Sequence, residues 1–423
     1  MKSARSASFG QMAEQYCTHI TRILSQSSCS RVDLVFDQYR KQSIKEGERH
    51  KRGETSSLEV KIYSDSTPIP KQWGKYISNP RNKENLADFL CCAVCKRLTQ
   101  NLNPQQKVFL AGGFKDGMKT VSCTQGHCEI VPLLRSDHEE ADTRLLLQPK
   151  HASQTHPRIV IQSPDTDVAV LSISHFEDLQ CQELWFRTGV KDRLRFIPIH
   201  RLHSSLGQPL CQALPAFHAL TGCDSTSALQ GIGKTTALKI LLKDNQFQQQ
   251  LSHFGADPTV SNESLISSEA FICSLYNRGG RLTTADEVRY LLFCQKNKKS
   301  EELPPTSESL SHHIKRANFQ THIWNNALVA IQNLPSPDGR GWKMEGDNLV
   351  PVLMMKEHAP KNIIELTACR CKKSACTRNC SSKLSNLPCT DACLCMVDDE
   401  CQNPMNDLAT CVSGDSSDSE GEQ

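Results

Sequence analysis

The chain has 423 residues, a length that predicts two or three domains and excludes a single mini-protein. Lys and Arg number 49 against 46 Asp and Glu, so the formal net charge is only +3 and any basic surface must come from local clustering. The 21 cysteines are about 5% of the chain, roughly twice the share expected of a cytosolic protein.

The cysteine excess is local, because eight of the 21 lie between positions 369 and 401. Residues 1–17 lack the apolar core of a signal peptide, and no run of 18 apolar residues could span a bilayer. We therefore expect an intracellular protein without membrane contact, in which clustered cysteines bind metal rather than form disulfides.

Helical and strand-like patterns alternate over residues 30–250, after a first predicted helix at 11–25. This alternation is typical of an α/β domain with a mostly parallel sheet flanked by helices, which we assign to residues 1–250. The predicted strands are 32–37, 107–113, 129–136, 158–163 and 183–188. The predicted helices of this domain are 82–98, 138–147, 209–221 and 234–247.

Three further regions follow the α/β domain. Residues 251–365 have mainly helical patterns, with a Lys-, Glu- and Pro-rich linker near 296–308. Residues 366–405 form a small cysteine-rich module, and residues 406–423 have the acidic, apolar-poor composition of a disordered tail.

Six acidic residues follow predicted strands or lie near the starts of helices. Because strand ends in an open α/β sheet meet at one edge, we expect their carboxylates to share a site. Two Mg²⁺ or Mn²⁺ ions about 3.5–4 Å apart would relieve the repulsion and support phosphodiester hydrolysis. Helix capping alone also places single acids at such positions. The six are Asp37, Glu140, Asp142, Asp165, Asp167 and Asp224.

A Gly-Ile-Gly-Lys sequence follows Asp224 and opens a predicted helix. Gly231 and Gly233 let a phosphate approach the backbone N–H groups, and Lys234 adds a positive charge. Residues 228–235 also fit a permissive phosphate-loop pattern. A phosphate loop normally follows a buried strand, which the preceding residues do not predict, so nucleotide hydrolysis is the lesser alternative.

In this order, over about residues 30–245, these motifs resemble the flap-endonuclease-like 5′ nucleases of the PIN-like superfamily. In that family the last metal-binding Asp lies seven residues before a Gly-Ile-Gly that grips duplex DNA, which is the spacing from Asp224 to Gly231. The segments 35–37, 140–142 and 165–167 are similar to its other acidic motifs. The resemblance implies a metal-dependent, structure-selective DNA nuclease with the six carboxylates as Mg²⁺ or Mn²⁺ ligands.

The charged stretch after Asp37 corresponds in position to the helical arch of these nucleases, through which single-stranded DNA passes. Lys45, Arg49 and Arg52 are spaced to share one helix face, and with Arg40 they are the expected DNA contacts. A solvated charged face or a nuclear-localisation run would have the same composition. The resemblance thus implies branched or junction DNA as partner and a nuclear location.

The chain departs from the family at its first metal-binding Asp. No Asp precedes Asp33 and no strand-like run precedes residue 32, and Asp33 lies some 13 Å along the strand from Asp37. We expect either that the chain begins after the strand that carries this Asp in the family, or that the enzyme is impaired. The alternative function is an inactive DNA-binding or adaptor protein of nuclease ancestry. The segments 138–144, 163–168 and 219–228 also resemble a group of animal proteins often associated with mobile elements.

The C-terminal cysteines are separated by short basic and polar spacers that contain too few apolar residues for a hydrophobic core. We therefore expect zinc–thiolate bonds to fold this segment, since they contribute about 10–16 kcal/mol in small zinc modules. Their spacing resembles the tesmin-type Cys-x-Cys zinc domain, in which nine cysteines hold several zinc ions and can bind DNA. Ser382 stands where the fifth cysteine is expected. The predicted structural zinc ligands are Cys369, Cys371, Cys376, Cys380, Cys389, Cys393, Cys395 and Cys401.

The remaining cysteines carry weaker signals. Cys91, Cys92 and Cys95 lie in an apolar helical pattern and are predicted to be core residues. Cys123 and Cys128 flank His127, and this spacing permits a small metal site.

Overall fold

The structure is a computed structural model that describes residues 6–26, 29–39, 43–45, 58–294, 302–346 and 348–355, with 369–371, 376, 380–384, 389, 393–395 and 401–404. Three predicted DNA contacts, Arg40, Arg49 and Arg52, lie outside the described residues, as do the acidic tail and the first part of the predicted linker.

A four-stranded sheet backed by helices forms from the first part of the chain. Strand β1 pairs in parallel with β2, and β3 and β4 extend the sheet antiparallel. Helix α1 begins after the capping residue Ser8 and packs with α3 over a core that includes Ile20, Val94 and Leu110. In chain order the elements are α1 (Phe9–Leu24), β1 (Arg31–Val35), α2 (Trp73–Ser78), α3 (Pro80–Leu98), β2 (Lys107–Ala111), β3 (Thr120–Thr124) and β4 (His127–Ile130).

The second sheet has three strands, in which β5 pairs in parallel with β6 and β7 pairs antiparallel with β6. Its elements are α4 (Ala141–Arg144), α5 (Leu147–Ala152), β5 (Arg158–Gln162), α6 (Thr166–Ser174), α7 (Phe176–Leu179), β6 (Glu183–Thr188), β7 (Arg195–Pro198), α8 (Ile199–Leu206) and α9 (Gln208–Leu220). Helix α9 is almost wholly buried, because apolar residues occupy nearly all of its surface.

The later helices pack on α9 and share one apolar core with the second sheet, from Leu146 to Ala327. These helices are α10 (Lys234–Leu241), α11 (Asn245–Ser252), α12 (Asn262–Tyr276), α13 (Ala285–Cys294) and α14 (Ser307–Asn325). Outside this core follow β8 (Trp342–Glu345), β9 (Asn348–Pro351) and α15 (Ser381–Leu384). Among the described helices, none is long and apolar enough to cross a bilayer.

The expected mixture of helices and strands is confirmed, whereas the single, mostly parallel sheet is not. The described residues contain two parallel and four antiparallel strand pairs, divided among three small sheets. The predicted strand at 129–136 is shorter than expected. It ends at Ile130 because Pro132, which has no N–H to donate, begins a 3₁₀ turn.

Candidate functional site

The first and second sheets place acidic residues next to one another at their strand ends. Asp37 lies two residues beyond β1, and its Oδ1 accepts a hydrogen bond from the Ala141 N–H at 2.8 Å, at the start of α4. Glu140 and Asp142 flank that N–H in sequence. Asp37 is therefore held beside both of them, although it lies about a hundred residues away along the chain.

Asp165 and Asp167 follow β5 in the same way. Asp165 caps α6 and accepts a hydrogen bond from the Asp167 N–H at 3.0 Å. Asp165 is exposed, whereas Asp167 is buried. In contrast, Asp33 lies within β1 and pairs with Arg31 at 2.8 Å, so it contributes to the strand rather than to this group.

Burial and neighbouring charges shift the pKa values of two of these carboxylates. Burial, followed by the charges of Glu140, Asp165 and Asp37, raises the pKa of Asp142 to about 8, although Lys45 opposes the shift. Burial also raises the pKa of Glu140, against the effect of Lys45. Desolvation and the neighbouring negative charges therefore disfavour ionisation of Glu140 and Asp142.

Lys45 lies within this acidic group. Its Nζ is 2.9 Å from Glu140 Oε2 and 3.6 Å from Asp224 Oδ2. Burial acts to lower the pKa of Lys45, but Glu140, Asp142 and Asp224 raise it above its ordinary value. Sequence spacing predicted a DNA-facing helical position, whereas described residues 43–45 form a turn whose lysine reaches the carboxylates.

Asp167 is connected to a second basic residue through His218. The Lys234 amine lies 2.7 Å from His218 Nδ1, and His218 Nε2 lies 2.7 Å from Asp167 Oδ1. A lysine ammonium can only donate, so Nδ1 accepts and Nε2 carries the proton given to Asp167. Burial raises the pKa of Asp167, but the hydrogen bond from His218 and the nearby charges bring it below its ordinary value.

The predicted phosphate-contacting residues surround the start of α10. Gly231, with φ of +73°, and Gly233 are exposed, with open space where a Cβ would stand. Lys234 begins the helix, yet its amine points to His218. The loop before it follows helix α9 rather than a strand, which differs from the context of a phosphate loop.

Asp224 is exposed in this tightly built loop between α9 and α10. Gly222 has φ of +109°, and a Cβ there would lie 2.7 Å from Ala228 Cα, so only glycine fits. Ser225 Oγ donates to Gln320 Oε1 at 2.6 Å, which ties the loop to α14.

Sequence reasoning missed Arg144 and His218 as residues that position the acids. Arg144 is fully buried and donates to the carbonyls of Gly117, Met118 and Lys119, which ties the loop after β2 to α4. The sequence signal for Arg144 was its position two residues after the predicted ligand Asp142. Local sequence offers no comparable signal for His218, because its partners are 51 and 16 residues away.

The C-terminal cysteines form a compact thiol cluster. Among the described residues, three overlapping groups of four sulfurs each lie within 4.8 Å, namely Cys369, Cys376, Cys380 and Cys389; Cys369, Cys389, Cys393 and Cys395; and Cys376, Cys389, Cys395 and Cys401. Cys371 packs against the cluster without joining these groups. Such a cluster can hold metal, and four-thiolate groups suit zinc.

Hydrogen-bond donors also point at the sulfurs. The Cys369 N–H lies 3.3 Å from Cys393 Sγ, and Asn403 Nδ2 lies 3.3 Å from Cys389 Sγ. Such N–H groups stabilise thiolates that ligate a metal. Ser382, predicted to replace a cysteine, is fully buried with Oγ 3.5 Å from Cys393 Sγ, so its side chain lies within the cluster.

Comparison with models of known protein families and with curated proteins finds no match for this chain.

In the described part of the chain, every group of three or more candidate ligand atoms that lie within 4.8 Å of one another consists of cysteines. The carboxylate oxygens are therefore spaced more widely than the thiols.

Proposed function

We propose that the protein is a divalent-metal-dependent nuclease that hydrolyses DNA at branches or single-strand/duplex junctions. One observation carries the proposal: Asp37 accepts a hydrogen bond from the N–H between Glu140 and Asp142, and Lys45 lies within 4 Å of both Glu140 and Asp224, so acids from separate chain segments meet. The charge of Asp165 also acts on Asp142. Clustered carboxylates of this kind are costly unless cations neutralise them. The order of the acids and their likeness to the flap-endonuclease-like motifs give the substrate class.

The donor set fits Mg²⁺ or Mn²⁺, since both prefer carboxylate oxygens. Asp37, Glu140, Asp142, Asp165, Asp167 and Asp224 would hold them. When bound, the two ions supply Lewis acidity for in-line phosphodiester hydrolysis.

The chain's own residues orient the ligands. The Ala141 N–H fixes Asp37, the start of α6 fixes Asp165, and His218 fixes Asp167. The exposed backbone at Gly231 and Gly233 is suited to contact a phosphate on the duplex side, with Arg40, Arg49 and Arg52 as the proposed contacts to the other strand. A DNA substrate would place the activity in the nucleus.

Lys45 favours a second candidate, a DNA-binding or adaptor protein of nuclease ancestry without turnover. Its ammonium pairs with Glu140 at 2.9 Å and approaches Asp224 at 3.6 Å, so it balances part of the acidic charge without a metal. In an active enzyme, Lys45 would instead leave Glu140 when cations bind.

The cysteine cluster is proposed to fold the C-terminal segment around zinc. Its described basic residues, Arg370 and Lys383, lie next to cysteines of the cluster and are candidates for phosphate contact. This assignment makes zinc structural and leaves hydrolysis to the carboxylates.

The test is incubation of zinc-loaded full-length protein with 5′-flap, hairpin and plain duplex DNA, with Mg²⁺ or Mn²⁺. The inactive comparison is the double variant Asp165→Asn/Asp167→Asn. Asp192→Asn is the matched control, because Asp192 is an exposed acid in the turn between β6 and β7.

We expect the wild type and Asp192→Asn to cleave the flap in a metal-dependent manner, and the double variant to lose at least about a thousandfold in rate. Absence of cleavage by folded wild type, with DNA binding retained, would favour the adaptor. Cleavage that survives the double substitution would show that other residues hold the metal.

A further inference from the structure

Three cysteines from different elements meet outside both sites described above. Cys95 lies one turn before the end of α3, and Cys123 and Cys128 are direct cross-strand partners in the β3–β4 hairpin. Their three sulfurs lie within 4.8 Å of one another, with Cys123 Sγ 3.6 Å from Cys95 Sγ. All three are free thiols.

The fold holds these thiols together through the hairpin turn. Gly126 adopts φ of +71° at the turn, and its N–H donates to the Thr99 carbonyl at 2.7 Å. This bond ties the hairpin to Thr99, the residue that caps the C-terminus of α3. Cys128 Sγ also lies 3.8 Å from the Cys95 carbonyl, so the helix and the hairpin meet at the sulfurs.

We propose that Cys95, Cys123 and Cys128 form a second zinc site, with three thiolate ligands and a fourth position open to water. Zinc–sulfur bonds are about 2.3 Å long, so sulfurs around a tetrahedral zinc lie about 3.8 Å apart. The Cys95–Cys123 separation is close to this value and well above the ~2.05 Å of a disulfide.

The surroundings suit such a site. Cys123 is fully buried, while Cys95 and Cys128 are half-buried, so the cluster is shielded but reaches solvent. The Lys119 ammonium lies near enough to Cys95 for its positive charge to favour the Cys95 thiolate. The same positive charge offsets the net negative charge of zinc bound to three thiolates.

The spacing of Cys123, His127 and Cys128 in the sequence suggested that His127 would be the third ligand of this site. His127 lies between Cys123 and Cys128 in sequence, but its side chain is exposed and faces Glu129 across 4.0 Å. The third sulfur comes from Cys95, which the sequence predicts to be a core residue. Zinc there would join α3 to the hairpin of the sheet that contains β1, the strand that precedes Asp37.

The first test uses wild-type full-length protein, so it does not depend on the folding of a variant. Zinc-loaded and chelator-treated samples are alkylated with iodoacetamide under reducing conditions, and the modified cysteines are mapped by peptide mass. Cys92, which is exposed on the same helix, is the internal control.

We expect zinc to slow alkylation of Cys95 and Cys128 at least about tenfold, because a metal-bound thiolate is a poor nucleophile, while Cys92 reacts equally in both samples. Equal reactivity of Cys95 and Cys128 with and without zinc would overturn the site. A disulfide-linked peptide containing Cys95 and Cys123, found in a zinc-loaded sample alkylated without reductant, would also overturn it, in favour of a redox pair.

The second test counts zinc per chain in the wild type, Cys128→Ser and Cys92→Ser. Cys128→Ser should lose one zinc ion and keep those of the C-terminal cluster, whereas Cys92→Ser should match the wild type. An unchanged zinc count in folded Cys128→Ser contradicts the proposal. If circular dichroism shows that this variant is unfolded, the alkylation result decides.

Discussion

Lys45 shows how one side chain changes the interpretation of a charged segment. Its sequence neighbours Arg49 and Arg52 predict a basic helix face, yet its ammonium is 2.9 Å from Glu140 within the acidic group. Charge spacing alone could not reveal this contact, because it depends on how residues 43–45 return to the strand ends.

Replacement of Lys45 by Met should destabilise the metal-free protein by up to about 3 kcal/mol, because Glu140 stays buried without its cation. Mg²⁺ should therefore raise the melting temperature of Lys45→Met more than that of the wild type. Lys243→Met, at an exposed lysine after α10, is the control in the same thermal melts. An Mg²⁺ effect equal in all three proteins contradicts the prediction.

Ser382 allows a gain-of-ligand experiment in the cysteine cluster. Its buried Oγ is 3.5 Å from Cys393 Sγ, so Ser382→Cys adds a thiolate where zinc ligands already meet. We expect that removal of zinc from the variant requires about tenfold more chelator than removal from the wild type. This difference corresponds to a gain of about 1.4 kcal/mol in the free energy of zinc binding. Ser381→Cys, at the neighbouring position in α15, should behave like the wild type. No difference between the two variants would show that position 382 lies outside the zinc shell.

At the scale of elements, the sequence predicted those with strong local periodicity. Strand β6 matches its predicted bounds, and α1 and α3 begin only two residues early. Strands β3 and β7 were not predicted, because both are short and depend on antiparallel partners fixed by the fold. For the same reason, the pattern could not distinguish two mixed sheets from one parallel sheet.

The candidate site was predictable to a similar degree. The rule that strand ends share an edge predicts one site for the acids after β1 and β5. In the structure these strands lie in different sheets, and the charges of Asp37 and Asp165 both act on Asp142. The roles of Arg144 and His218 depend on contacts with distant segments, so no local pattern contained them.

Gly222 offers a test of how the loop before α10 positions Asp224. Gly222→Ala should cost about 1–3 kcal/mol, because φ is +109° and the new Cβ would clash with Ala228. Gly233→Ala, where φ is −76° and the space is open, should stay within about 0.5 kcal/mol of the wild type. Urea unfolding measures both, and equal stability of the two variants contradicts the loop geometry.

His313 on α14 should make the shared helical core sensitive to acid. Its Nε2 donates to the Leu220 carbonyl at 2.9 Å, and burial lowers its pKa to about 4. The folded-state pKa of His313 lies below the unfolded value of about 6.5, so neutral His313 stabilises the fold fully above pH 6.5. As the pH falls from 6.5 to 4, the free energy of unfolding should decrease by roughly 3 kcal/mol.

The matched comparison for this pH effect is His313→Gln, which keeps a donor for Leu220 but does not titrate. Its stability should fall less than that of the wild type between pH 6.5 and 4, as followed by urea unfolding at each pH. Parallel pH profiles for the two proteins would show that His313 is not the responsible group.

At the scale of the whole molecule, the near-zero net charge conceals separate chemical groups. The described residues contain one oxygen-rich acidic group and two thiol clusters, which suit different metals. Mg²⁺ or Mn²⁺ should therefore load the carboxylates without displacing zinc from the cysteines. The shared core from Leu146 to Ala327 connects the acids after β5 to the later helices.

The central proposal is that the carboxylates bind Mg²⁺ or Mn²⁺ while the cysteines bind zinc. Its most direct test is the number of Mn²⁺ ions bound by zinc-loaded full-length protein, measured by electron paramagnetic resonance. We predict about two Mn²⁺ per chain in the wild type and in Asp192→Asn, and a loss of at least one in Asp165→Asn/Asp167→Asn. Equal Mn²⁺ binding by all three proteins, or none by the wild type, would contradict a divalent-metal site at the carboxylates.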